Sequence, residues 1–236
     1  MKILALDTAT ENCSVALWVD GELSVREQLL ERGHAEQILP MLDELLAASG
    51  VSLRQLAAVA FGRGPGAFTG VRLAASVAQG LAFGAQLPVV PVSDLAALAE
   101  RVLSENAGTR RVIVCTDARL GEVYWGCFER AESGLAAAAT PERVSRPEAV
   151  HLPEGWSRTA EAWLAAGSGF SAHPQLKVAL GAAPDGIREG LFPRAREVAR
   201  LAAPEVSGGR ALPAEEAIPV YLRDDVTQPS RPRSSN

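Results

Sequence analysis

The sequence predicts a mixed α/β protein: one mixed sheet flanked by helices, followed by a second set of strands. Three observations carry this. The first hundred residues read βββαβαβα in their apolar pattern. The chain turns polar at Asn106–Arg111, which marks a boundary. Beyond it, Val112–Thr116 and Glu122–Phe128 are again rich in strand formers.

The opening is a three-strand antiparallel meander. Ile3–Leu6 is a short apolar run ending at Asp7, and Ser14–Val19 is a second run. Asp20-Gly21 then gives a strong two-residue hairpin signal, and Leu23–Arg26 alternates apolar and polar. The polar turn from Asp7 to Asn12 joins the first two strands. His34–Ser49 reads as a helix with a wide apolar stripe, with Pro40 near its start and Gly50 as its C-cap. Leu56–Phe61 is a strand, Gly62–Gly70 a glycine-rich loop and Val71–Phe83 a second helix. Val89–Val92 is a strand, and Asp94–Leu103 a third helix with Asp94 as its cap. The turn Asp117–Gly121 separates the two later strands. After Ala131 the pattern weakens to short strands and one helix near Arg194–Leu201, and the last ordered piece is expected at Ala217–Val226.

Composition excludes several classes. The chain has 236 residues, is 47% hydrophobic and 22% charged, and so can bury one sizeable core or two small ones. A net charge of -5 leaves no strongly basic surface for nucleic acid. Only Lys2 and Lys177 are lysines, so lysine-based catalysis has almost no candidates. Cys13, Cys115 and Cys127 are odd in number and form no CxxC, which fits a reducing cytosol rather than a disulfide framework. The run MKILALD is too short for a secretory signal. Leu73–Ser93 carries no formal charge, but Gly80, Gly84, Pro88 and Pro91 split it into two elements joined by a turn, so no membrane span is expected.

Candidate chemistry is sparse. In the glycine loop, Gly62, Gly64 and Ala67 match the dinucleotide pattern G-x-G-x-x-A, in which backbone N–H groups face a pyrophosphate. Pro65 removes one such N–H, and a tight loop that lets the next helix pack closely explains the same glycines. Asp7, Thr8 and Thr10 suit either a metal or phosphate turn or a local Asx turn, and Asp117 with Arg119 repeats the ambiguity. Together Asp7, Thr8, Gly64, Gly66 and Thr69 are the candidate nucleotide or phosphate contacts. Gly167-Ser168-Gly169 is a candidate adenosine loop and equally a plain turn. His34 has Ile38, not a second ligand, one helical turn on, and His151 and His173 stand alone, so no metal site is expected. The second helix is the informative feature. Arg72 is its only charge, and Ala74, Ala75, Ala78, Gly80 and Ala82 are small. A helix without a polar face lies inside a core or against another protein. A partner surface of about 800 Å² per side would absorb the excess.

The motifs DTAT at 7–10, HAEQILP at 34–40, GRGPGAFTGVRLAASVAQGLA at 62–82, TDARLGEVYWG at 116–126 and AIPVYLR at 217–223 resemble those of the bacterial TsaB (YeaZ) family. That resemblance implies an actin/Hsp70/sugar-kinase-like (ribonuclease H-like) fold with two subdomains, each a mixed βββαβα unit. The expected division is 1–105 plus 211–226 for the first subdomain, 106–210 for the second, and a disordered tail at 227–236. It also implies a cytoplasmic, non-catalytic subunit of the complex that makes N6-threonylcarbamoyladenosine beside the tRNA anticodon. The catalytic paralogue TsaD would be its partner, the ATPase TsaE would join, and tRNA would be met only indirectly. TsaD-like enzymes carry a metal-binding HxxxH on the first helix, where this chain has His34 and Ile38. Packing through the first two helices is implied, with Ile38, Leu42, Leu45, Leu46, Leu73, Val77 and Leu81 as anchors and a homodimer when the chain is alone. ADP or ATP at the complex interface is the one cofactor left open. Two rivals remain: an ATPase or phosphotransferase of the same fold, and a peptidase, for which no nucleophile motif exists.

Overall fold

The structure is a computed structural model, and it describes residues 1–156, 163–181 and 186–223. The expected tail at 227–236 lies outside the described residues.

The first sheet follows the predicted order. Strands β1 (Lys2–Asp7), β2 (Asn12–Val19) and β3 (Glu22–Leu29) form the antiparallel meander. Asp20 and Gly21 sit at φ 49° and 104°, the double positive φ that a two-residue hairpin needs. Helix α1 spans His34–Ser49 and runs through Pro40 to a left-handed cap at Gly50. Strand β4 (Ala58–Gly62) adds parallel to β1, and β5 (Val89–Val92) parallel to β4, giving the order β3-β2-β1-β4-β5. Helix α2 (Phe68–Ala85) lies between them in sequence and begins three residues before the expected Val71.

The second sheet repeats the plan. After α3 (Asp94–Glu105) come β6 (Arg111–Asp117), β7 (Val123–Arg130) and β8 (Ala136–Ala138), antiparallel in turn, with β9 (Arg143–Ser145) also on β7. Strand β10 (Leu164–Ala166) pairs parallel with β6, and β11 (Ile187–Arg188) parallel with β10. The short helices α4 (Gly169–Ala172) and α5 (Gln175–Leu180) lie between those two strands in sequence. Two sheets, each a meander extended by two parallel strands, make the actin/Hsp70/sugar-kinase type of fold.

Packing follows the period-two alternation of the strands. Leu4 and Leu6 of β1 face α1 and α2, whereas Ile3 and Ala5 face the opposite side. That opposite side is covered by α6 (Ala195–Ser207) through Ala195, Val198, Ala199 and Ala202. The expected division therefore needs correction: α6 lies on the first sheet, not with the second subdomain. Helix α3 bridges the halves, setting Ala97 with α6 and Leu95, Leu98, Val102 and Leu103 against the second sheet. A second correction concerns its cap. Ser93, not Asp94, accepts the Ala96 N–H at 3.1 Å, which leaves the Asp94 carboxyl for another use. The segment from Ala211 returns to the first sheet, with Leu212 bridging Val89 and Ala214 and Ala217 buried near α2. Among the described residues, no helix is long and apolar enough to cross a membrane.

Candidate functional site

The glycine loop is a close-packed joint. Its Ala67 N–H donates to the Ala9 carbonyl at 2.8 Å, and the Thr8 hydroxyl donates to the Gly70 carbonyl at 2.7 Å. A Cβ at Gly66 would collide with the Ala9 carbonyl, and one at Gly70 with the Thr8 carbonyl. Gly70 thus explains how α2 can start early and lie against the turn after β1. Gly64, at φ 100°, donates its N–H to Asp94 Oδ2 at 2.5 Å. Of the five candidate phosphate contacts, Thr8, Gly66 and Thr69 line an open cleft. Asp7 and Gly64 lie buried, and the Gly64 N–H is already used by Asp94.

Beneath this joint sits a pair of acids that sequence reasoning missed. Asp7 and Asp94 are 0% and 2% exposed. Asp7 Oδ1 accepts the Ala9 N–H at 2.8 Å, the local Asx-type bond weighed for this turn. Both carboxyls converge on Gly62, and Asp7 Oδ2 and Asp94 Oδ1 are buried without a hydrogen-bond partner. Burial pushes the Asp7 carboxyl up to about 6. Burial, and then the charge of Asp7, push Asp94 well above the usual carboxylate range. Gly62 lies under the pair, where a Cβ would strike Asp94 Oδ1. The signal for Asp94 was its position one residue after a Ser that caps equally well.

The opposite wall of the cleft is the turn after β6. Arg119 and Leu120 sit at φ 61° and 55°, and Asp117 Oδ1 accepts the Arg119 N–H at 3.0 Å. Asp117 also meets His173 Nε2 at 3.3 Å, so His173 does not stand alone. Ser168 Oγ accepts the Asp117 N–H at 3.1 Å, while Gly167 and Gly169 press on the Cys115 carbonyl. Those glycines are required by packing. Between the walls the cleft encloses about 1100 Å³. His34 stands at its edge, with Nε2 2.9 Å from the Thr10 carbonyl, tying the start of α1 to the first turn.

The outer faces of α1 and α2 form a second feature. Ile38, Leu42 and Leu45 are fully used by the chain's own core against the sheet. As anchors open to a partner they are corrected. Leu46, Leu73, Val77 and Leu81 are half-buried at the edge of that core. Beside them Leu39, Phe68 and Phe83 are exposed by 48%, 52% and 75%. They belong to the same two helices, and their exposure was not readable from periodicity because α2 is apolar around most of its circumference and the apolar stripe of α1 is wide. Ser76, Gly80 and Gly84 are also exposed, and a Cβ on either glycine would meet nothing within 4 Å. The fold itself does not need these two glycines.

Comparison with known proteins was made against this geometry. The family described as "TsaD: tRNA N6-adenosine threonylcarbamoyltransferase" matches residues 26–183. The tRNA threonylcarbamoyladenosine biosynthesis protein TsaB of Escherichia coli K12 is 43% identical over 228 residues, covering 96% of each chain. The protein of that name from Haemophilus influenzae is 39% identical over 237 residues, covering 96% of this chain and 95% of its own. The solved structure of YeaZ from Pseudomonas aeruginosa aligns at a TM-score of 0.84 with 44% identity, over 94% of this chain and 99% of that one.

Proposed function

The chain belongs to the TsaB (YeaZ) family of tRNA threonylcarbamoyladenosine biosynthesis proteins, and from that premise we propose that it is the non-catalytic subunit that clasps a TsaD-like transferase through the outer face of α2. The observation that carries the reading is the pair of unneeded glycines. Gly80 and Gly84 lie exposed in a helix, where each costs roughly 0.8–1 kcal/mol relative to Ala. Bare backbone at that spacing lets a second helix approach closely. Leu73, Val77 and Leu81 border this bare strip as half-buried apolar side chains, and Phe83 beside Gly84 is exposed.

The subunit leaves transfer to its partner. At the place of the second metal-binding histidine of the first helix, Ile38 is buried in the sheet core. His34 spends Nε2 on the Thr10 carbonyl. The loop that would cradle a phosphate has its Gly64 N–H committed to Asp94 and its Gly66 and Gly70 committed to backbone packing. This weighs against the phosphotransferase rival. Threonylcarbamoyl reaches the tRNA adenosine on the TsaD-like subunit, the TsaE-like ATPase joins the pair, and this acidic chain meets tRNA through its partners. When the partner is missing, a second copy occupies the same helix face.

Co-expression with a TsaD homologue followed by size-exclusion chromatography tests the pairing. A stable complex is expected, and reconstituted transfer should require both subunits. Transfer by this chain alone, or two proteins that elute independently, would refute the reading.

A further inference from the structure

The motif AIPVYLR at 217–223 has no part in the partner reading, yet it makes contacts on both sides of the cleft. Ala217 is buried in the core near α2. The Val220 N–H donates to the Arg63 carbonyl at 2.8 Å, and the Val220 carbonyl abuts Gly64. The Tyr221 hydroxyl accepts from Arg72 Nε at 2.6 Å, and the Arg72 guanidinium lies 3.6 Å over the Phe68 ring. All of these contacts are to the first subdomain.

Arg223 then reaches the other side. Its Nη2 donates to the Ala118 carbonyl at 3.1 Å and to the Glu122 carboxylate at 2.5 Å. Both acceptors belong to the β6–β7 connection, which holds Arg119 and Leu120 at positive φ, a costly conformation outside glycine. Arg63, whose carbonyl receives Val220, reaches across to Glu142 at 3.3 Å. Tyr221 and Arg223 themselves line the cleft. The Arg223–Glu122 pair is half-buried, so it is screened less than a surface pair.

We propose that residues 217–223 are a strap that sets how far the cleft between the two subdomains opens, with Arg223 as its latch on the second subdomain. The strap is anchored on one side by Ala217, Val220 and Tyr221, so loss of Arg223 frees one wall of the cleft without unseating the segment. The inference does not depend on the partner reading.

The test uses the full chain, mixed with an excess of unlabelled chain, with spin labels on cysteines placed at exposed Glu44 and Glu132, one in each subdomain. The native cysteines are buried, so they do not compete for label. A narrow inter-label distance distribution is expected for the parent. Arg223→Ala and Glu122→Gln should each shift it to longer distances and broaden it, and the double variant should add nothing further. Amide exchange at Ala118 and Glu122 should quicken about tenfold, as befits a lost charge-assisted hydrogen bond. Unchanged distributions in both folded variants would overturn the strap. Should Arg223→Ala not fold, the parent is measured from low salt to about 1 M, where screening should broaden the distribution and an invariant one would overturn the proposal.

Discussion

Gly80→Leu should stabilise the chain as a monomer and weaken its pairing through α2, whether with a TsaD homologue or with a second copy. Gly80 is five residues from the end of α2, exposed, and open to a side chain on its outer side. Replacing glycine in a helix interior recovers about 0.5–1 kcal/mol, chiefly as backbone entropy no longer lost on folding. For a chain of this size that is a rise of roughly 2–4 °C in melting temperature. In the complex the same side chain would stand where a helix approaches bare backbone, and such overpacking costs about 1–3 kcal/mol. Affinity for a TsaD homologue should therefore fall on the order of tenfold to a hundredfold. Urea unfolding of the free chain, diluted until it is monomeric, and calorimetric titration of the pair read the two effects separately. A variant that is more stable and binds with parental affinity would exclude α2's outer face from the interface. A destabilised variant would show that Gly80 serves the fold, against the open space beside it.

Three further outcomes are expected. Val77→Asp should abolish association with the partner while the chain remains folded, because docking would bury an unpaired carboxylate; pull-down and circular dichroism check both halves. Asp7 and Asp94 have folded pKa values above the unfolded 3.8, so the folded state holds the extra protons, and stability falls as pH rises. The Asp7 part, about 3 kcal/mol, is lost between about 3.8 and 6, and the Asp94 part at higher pH. Asp94→Asn cannot take up a proton and keeps an acceptor for the Gly64 N–H, so its stability should decline less as pH rises. Superimposed pH profiles of urea stability for parent and variant would show that Asp94 holds no extra proton in the folded state. His34→Ala should leave metal content by elemental analysis unchanged but lower stability by about 1 kcal/mol through loss of the Thr10 bond.

The joint between the first turn and the glycine loop keeps its architecture for reasons that can be read residue by residue. The turn after β1 and the glycine loop remain, but their polar atoms serve packing: Thr8 holds Gly70, Asp94 holds Gly64, and the Ala9 carbonyl holds Ala67. The cleft persists between them and the β6–β7 turn. On the proposed reading, binding lies outside this joint, on a helix face whose Gly80 and Gly84 have open space beside them.

The sequence by itself determined what depends on a few neighbouring residues. Asp20-Gly21 specified a hairpin and Gly50 a helix end, because only certain residues tolerate positive φ. The meander and the strand–loop–helix around Gly62–Gly70 followed from local alternation and glycine content. Tertiary structure decided which side of each apolar helix was already spent. Ile38, Leu42 and Leu45 look like Leu46 and Leu81 in periodicity, yet only the sheet's position makes the first three core and leaves the others at its edge. It also put α6 on the first sheet, set Asp94 against Asp7 across 86 intervening residues of chain, and carried Arg223 to Glu122. Burial and long-range charge pairing are properties of the assembled layers, and no window of sequence contains both partners.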